Sequence, residues 1–319
     1  MIRDDREPAL AAPPAPPTAA PAAEGCPPPL QWQEVLAQWG RTSQPIAVEH
    51  RGVAVHGRAD GSGPALLLLP GMLGSGELFC LLTHLLRAKI RCIALDYPDD
   101  PPRGPSPQPR SWRTWQLEDY AAVVEKLAAQ HGEGEPLHLL GTGFGAAVAL
   151  EAARRHPEVV GRLILLSACT QRRYSVVERA LLTAARWLPG RIGSVPLWRP
   201  IQTRNHRRWC PPLDSSRGDW LLDDLGATSR AAFAARARLM ERQGVPPAVA
   251  AQIRAPVLLV KAEGDGGLVD SCADAWAAAL AQRHPDPGFR EEWLHTTGQF
   301  AFVTHPHRLA KLLTGFLLP

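Results

Sequence analysis

The 319-residue sequence contains no run of about 18 apolar residues, the length a helix needs to cross a bilayer, so a transmembrane helix is not expected. It contains no C-x-x-C pair: Cys26, Cys80, Cys92, Cys169, Cys210 and Cys272 are scattered, and no histidines cluster at ligand spacing. Neither a zinc site nor a disulfide framework is suggested, no metal or other cofactor is expected, and a reducing, cytoplasmic compartment is the default. Lysine is scarce as well. Lys89, Lys126, Lys261 and Lys311 are the only ones, and arginine carries the rest of the basic charge. With a net charge of only +4 and no recognition-helix, RNA-binding or zinc-finger pattern, nucleic acid is not an expected partner.

The first thirty residues lack the apolar centre of a signal peptide, and their alanines and prolines read as a disordered tail, residues 1–30. A proline-rich docking ligand is the alternative reading of this segment. The remainder has an ordinary globular composition, 45% hydrophobic and 21% charged. Its length suits one large α/β domain with an insertion.

Segments 46–50 and 53–57 alternate around Arg51-Gly52, as in an antiparallel hairpin. Residues 65–69 form a continuous apolar run, expected of a strand covered on both faces. Further strands are expected over 90–97, 137–140, 159–166, 256–261 and 289–294, with helices over 77–86, 117–130, 145–155, 270–281 and 307–318. Strands alternating with helices imply a mostly parallel, doubly wound sheet with helices on both faces. The alternation stops between Gln171 and Ile253, where helical patterns are interrupted by Pro189, Pro196, Pro200 and Pro211-Pro212. This reads as a helical cap, 171–253, inserted between two parts of a core, 31–170 and 254–319.

Four stretches carry chemical interest. Pro70-Gly71-Met72 follows a buried strand; Gly141-Thr142-Gly143-Phe144-Gly145 lies between a strand and a helix of small residues; Asp265 follows the strand ending at Lys261; Thr297-Gly298-Gln299-Phe300 precedes the last helix. In this order they resemble the α/β-hydrolase fold. The resemblance makes the first the oxyanion loop, the second the G-x-S-x-G nucleophile elbow, and Asp265 the triad acid. It places Gly143 where the serine would be and Gln299 where the histidine would be. Within the superfamily the final turn resembles that of maspardin, which also has an amide in place of the histidine. The strand endings Ile93-Ala94-Leu95-Asp96-Tyr97-Pro98 and Leu163-Ile164-Leu165-Leu166-Ser167-Ala168 are also similar.

A triad needs a nucleophile, a base and an orienting acid. Glycine offers no side chain, and an amide does not accept a proton near neutral pH. The expectation is therefore a pseudohydrolase that binds a protein or a small acyl or carboxylate ligand. Its backbone donors, at Met72 and Phe144, do not depend on side-chain identity. Glycine at 143 also relieves an elbow strain of about 1–3 kcal/mol; a ligand approaching the backbone closely is the alternative reason for it. Asp265 reads equally as a turn residue before Gly266-Gly267. An esterase or a cofactor-free lyase with displaced groups remains the enzymatic alternative. His295 and Cys169 are its candidate substitutes, while Thr142, next to the vacant position, is expected to point elsewhere.

The cap has a field of its own. Arg172, Arg173, Arg179, Arg186, Arg191, Arg199, Arg204, Arg207 and Arg208 fall between Gln171 and Cys210 against one acid, Glu178, with Trp187, Trp198 and Trp209 interleaved. A solvated face whose tryptophans pack on the sheet is the simplest account. An acidic partner at Arg172, Arg173, Arg199, Arg204, Arg207 and Arg208, or a scaffold on an anionic membrane, is the functional one.

Overall fold

The computed structural model describes residues 30–99, 110–206, 210, 215–283, 288–296 and 298–318. The Ala/Pro-rich segment 1–29 with Cys26, and Arg207, Arg208, Trp209, Pro211, Pro212 and Thr297, lie outside the described residues. The chain divides into a short unit, Met1–Gln31, and the unit Trp32–Pro319. The latter holds all the helices and strands of the described residues, cap included.

Eight strands make one sheet: β1 (Gln44–His50), β2 (Val53–Asp60), β3 (Ala65–Leu69), β4 (Arg91–Asp96), β5 (Leu137–Thr142), β6 (Val160–Leu166), β7 (Val257–Ala262) and β8 (Phe289–Leu294). Their order is β1-β2-β4-β3-β5-β6-β7-β8. β1 and β2 pair antiparallel, as do β2 and β4, while every pairing from β4 through β8 is parallel. The hairpin turn has positive φ at both Arg51 and Gly52, the backbone that matches the twist of paired strands. All of β7, and all but one residue of each of β3 and β5, are buried, which is what their unbroken apolar runs require. β8 closes the edge, with Arg290 and Glu291 turned to solvent.

The core helices are α1 (Trp32–Thr42), α2 (Cys80–Leu86), α3 (Leu117–His131), α4 (Phe144–Arg155), α9 (Gly267–Arg283), α10 (Ala301–Thr304) and α11 (Pro306–Leu317). Two expectations need correction. α1 was not foreseen, although Val35 and Trp39 bury one of its faces. The helix expected over 77–86 opens as a tight 3₁₀ turn, Gly76–Phe79, capped by Ser75, and becomes α-helical only from Cys80. The closing helix lies where it was expected, as α11, and a short helix, α10, precedes it; the two are separated at His305 because Pro306 can start a helix but not continue one.

Between β6 and β7 lie the cap helices α5 (Val176–Trp187), α6 (Trp198–His206), α7 (Ser215–Gly226) and α8 (Arg230–Arg242), as the prolines of that stretch suggested. Its tryptophans do not all pack inward, since Trp187 is 74% exposed.

The tightest packing lies where β3, β5 and α4 meet. A Cβ on Gly145 would stand 2.1 Å from the Leu69 carbonyl oxygen and 2.5 Å from that of Pro70. One on Gly141 would stand 2.3 Å from the Gly145 carbonyl oxygen. These contacts are backbone to backbone, so no rotamer change relieves them. At Gly143, between them, a Cβ meets nothing within 4 Å. Gly145→Ala is expected to cost about 3 kcal/mol of unfolding free energy by overpacking. Gly143→Ala, which carries only the left-handed backbone penalty, is expected to cost about 1 kcal/mol. Urea denaturation of the two variants measures the difference.

Candidate active site

β5 ends at Thr142 and α4 begins at Phe144, leaving Gly143 alone to reverse the chain. Its φ of 52° and ψ of −110° give the sharp elbow that lifts a side chain clear of the sheet. Beside it is a cavity of about 140 Å³, walled by Met72, Phe144, Cys169, Phe233, Met240 and Gln299 among others. Met72 and Phe144, the expected oxyanion donors, thus face one space with Gly143. Among the described residues, neither of their N–H groups donates to a protein acceptor. α4 adds the positive end of its dipole at this point.

The cap fixes the loop that carries Met72. The Arg236 side chain, 2% exposed, donates from Nη1 to the Met72 carbonyl at 2.8 Å and from Nη2 to that of Pro98 at 3.0 Å. Its guanidinium lies 5.3 Å from the Tyr97 ring centroid. The carbonyl so held shares its peptide with the Leu73 N–H, which is thereby committed to the other side. Next along the loop, Gly74 N–H donates to Thr228 Oγ1 at 3.0 Å, and Ser75 N–H and Oγ donate to the Asp224 carboxylate at 2.8 and 2.7 Å. Gly76 N–H reaches Asp96 Oδ1 at 2.8 Å. None of these partners was legible in the sequence, because each joins segments whose proximity only the fold creates.

At the acid position, Asp265 Oδ2 accepts a hydrogen bond from Ser167 Oγ at 2.5 Å, and Oδ1 accepts one from the Gln299 backbone N–H at 3.4 Å. Ser167 is fully buried and sits at φ 51°, a left-handed conformation that a serine holds only under constraint. In a triad, this carboxylate would orient the base through the base's N–H. Here a hydroxyl and a backbone amide bind it. Thr142 departs from expectation: it lines the cavity, and its hydroxyl donates to the Gln299 carbonyl at 3.3 Å.

The candidate substitutes separate. His295 is exposed and pairs through Nδ1 with Glu263 Oε1 at 2.6 Å, away from the lining of this cavity. Cys169 does line it, 3.3 Å sulfur to sulfur from Cys272, and burial pushes its thiol up to about 12. A residue that the sequence did not single out is His206. With Arg204, Asn205, Asp265 and Gln299 it lines an adjoining space of about 400 Å³, and Gln299 lines both. Its Nε2 lies 3.0 Å from Gln202 Oε1, its ring meets Phe300 edge-on at 5.1 Å, and its buried Nδ1 has no partner among the described residues. Burial holds its pKa below the ordinary histidine value.

The cap cations are also sorted by the fold. Arg199 is held by Asp219 at 2.8 Å and by Asp223 at 2.5 Å, and Arg172 by Glu178 at 3.3 Å. Acids from later in the chain therefore offset part of the field that the segment 171–210 suggested. Arg173 and Arg204 are exposed and have no ion pair among the described residues. Also among the described residues, no cluster of three or more His, Cys, Asp or Glu is placed to hold a metal ion, and no helix is long and apolar enough to cross a membrane.

The arrangement has counterparts among known proteins. The chain resembles the solved structure of a hydrolase from Pseudomonas aeruginosa PA01, with a TM-score of 0.67, 20% identity, and coverage of 87% of this chain and 98% of that one. It is similar to a thermophilic esterase from Thermogutta terrifontis, with a TM-score of 0.69, 16% identity and coverage of 86% and 98%. At these identities the likeness is one of fold. In sequence it is 26% identical over 114 residues to RutD of Agrobacterium fabrum, a protein assigned as a carbamate hydrolase. That match covers 36% of this chain and 42% of RutD, so the chain spans under half the length of the curated relative it matches. The model of the alpha/beta hydrolase family matches residues 66–312, from β3 to the last helix, and the chain belongs to that family.

Proposed function

We propose that this protein binds a small acyl or carboxylate ligand at the elbow and does not hydrolyse it. The observation that carries the reading is the elbow itself. Gly143 keeps the backbone of a nucleophile turn with open space above it, while neither it nor Gln299 provides the groups that would attack and take the proton. The N–H groups of Met72 and Phe144 supply two donors to an oxygen, and Phe233, Met240, Leu268 and Phe300 offer apolar surface to a chain. A volume of about 140 Å³ is below the roughly 300–1,000 Å³ of drug-sized ligand sites, which favours a short ligand. The hydrogen bonds of Ser167 and the Gln299 N–H to Asp265 are consistent with the same reading, since both use the carboxylate to hold the turn. So does the similarity of the Gln299 turn to that of maspardin.

One observation favours an enzymatic alternative. His206 brings a buried imidazole nitrogen to the space that Asp265 lines, so a displaced base, if one operates, is His206 rather than His295. Such a base would act on water or on a substrate proton, which is lyase-type or water-mediated chemistry.

Short-chain carboxylates, titrated against the purified full chain, are expected to raise its melting temperature without being consumed. At about one hundredfold over Kd the stabilisation is about 2.7 kcal/mol, several degrees for a domain of this size. Aryl-ester turnover that a serine-directed phosphonate or His206→Ala abolishes would overturn the reading. Gly143→Ser alone is expected to stay within about 10³–10⁴-fold of the uncatalysed rate, because the base is still absent. Robust turnover by that single variant would show that another residue takes the proton. Cys169 is expected to resist alkylation at pH 8 about a thousandfold more than an ordinary thiol, since its proton leaves only towards pH 12; peptide mass mapping after iodoacetamide reads this directly.

A further inference from the structure

Helix α5 is anchored by one side and bare on the other. It lies along α8, with Leu182 as its only buried residue, set against Tyr174, Ala234 and Ala237. The opposite side shows Val176, Val177, Leu181 and Trp187 at 78%, 68%, 64% and 74% exposure. Val177, Leu181, Ala184 and Leu188 recur at i, i+4, i+7 and i+11, the spacing of a continuous stripe along a helix. Leu197 and Ile201, further along the cap, are also exposed. Isolated surface leucines need no explanation, but a contiguous apolar helix face does.

The rim of this face is cationic. Arg173 precedes the helix and is exposed, and Arg186 holds its guanidinium 5.5 Å from the Trp187 ring centroid. Arg238 reaches back from α8 to donate to Thr183 Oγ1 at 2.6 Å, and Arg186 and Arg242 stand near enough to depress its affinity for its own proton, after burial itself. Among the described residues, no carboxylate pairs with Arg173, Arg186, Arg238 or Arg242. The two carboxylates that do lie here are engaged, Glu178 with Arg172 and Glu241 with Arg179.

Three occupants would cover such a face, and charge and shape choose among them. A second copy across a two-fold axis would set these arginines against their own counterparts, and like charges brought together repel. A protein partner binds best through side chains seated in pockets, whereas here the apolar residues stand out from a single surface helix with no walls around them. An anionic bilayer needs no walls. It takes an apolar helix face lying in its plane, a tryptophan at headgroup depth and arginines against lipid phosphates and carboxylates.

We propose that α5 is an interfacial helix through which the cap lies on anionic membrane surfaces. The contact is peripheral, made by Val177, Leu181 and Trp187 in the headgroup region with Arg173, Arg186 and Arg242 supplying the preference for negative charge. It does not depend on what fills the cavity, although Phe233 and Met240 of α8 line that cavity one helix away from the membrane-facing side.

Flotation of the full-length protein with phosphatidylcholine vesicles containing about 30% phosphatidylserine tests this, against vesicles of phosphatidylcholine alone. Co-flotation is expected only with the anionic vesicles, with release at about 0.5 M salt, where the Debye length shrinks to a few ångströms. Leu181→Asp with Trp187→Asp, and separately Arg173→Gln with Arg186→Gln and Arg242→Gln, are each expected to weaken binding about tenfold or more. All five side chains lie at the surface or its rim, and circular dichroism checks that the fold is kept. Brominated lipid gives a readout that needs no disruptive change: it should quench the native protein, and Trp187→Phe should float equally well but lose that component. Protein that stays unbound at low salt, or floats equally with both vesicle types, overturns the proposal. So does a concentration-dependent dimer that Leu181→Asp dissociates without any flotation, or binding to polyglutamate but not to vesicles.

Discussion

The close approach of α4 to the ends of β3 and β5 is the constraint on which this molecule turns. Backbone meets backbone there with no space for a methyl group at either Gly141 or Gly145, so the start of the helix and the end of the strand are fixed relative to each other. The chain has one residue, Gly143, in which to reverse between them. A flexible glycine could have adopted many backbone angles. That it holds φ 52° and ψ −110° shows that the surrounding packing sets the elbow. The turn is a product of the glycines on either side of it, and it sets Phe144 on the same cavity that Met72 borders.

The second element of the site is supplied from a distance. Residues 72–76 form a loop of small and apolar groups with little to order them internally, and the cap orders them instead through Arg236, Asp224 and Thr228. A buried arginine is an expensive group to place in an interior, and here it is offset by two carbonyls and an aromatic face. The cap is therefore a structural part of the site: it holds the loop with one surface while the outer side of α5 turns away towards solvent.

What the sequence made legible followed from local rules. Unbroken apolar runs gave β3, β5 and β7, the glycine pattern gave the elbow, and the prolines after β6 gave a helical cap. Asp265, singled out by its position after a strand, lies beside Gln299, whose N–H donates to it. The misses have one physical origin, which is dependence on contacts far apart in the chain. Ser167 reaches Asp265 across 98 residues, Arg236 reaches Met72 across 164, and His206 enters from the cap. The cap tryptophans illustrate the same limit. Periodicity shows that α5 has an apolar face, but it cannot show that the helix has two, with only Leu182 turned inward. The expected strength of the cap's positive field was likewise reduced by Asp219 and Asp223, which lie outside the segment where the arginines cluster.

The open space above Gly143 gives position 143 an unusual independence. Its neighbours cannot change without disturbing the core, yet the residue between them can gain atoms without touching any. A side chain there meets no packing resistance and carries only the backbone penalty of the positive φ, so the elbow behaves as a socket. Residues of different chemistry can be exchanged in it while the scaffold, the donors beside it and the cap above stay constant, which makes this single position the natural point at which the family's fold can be given, or relieved of, a reactive group.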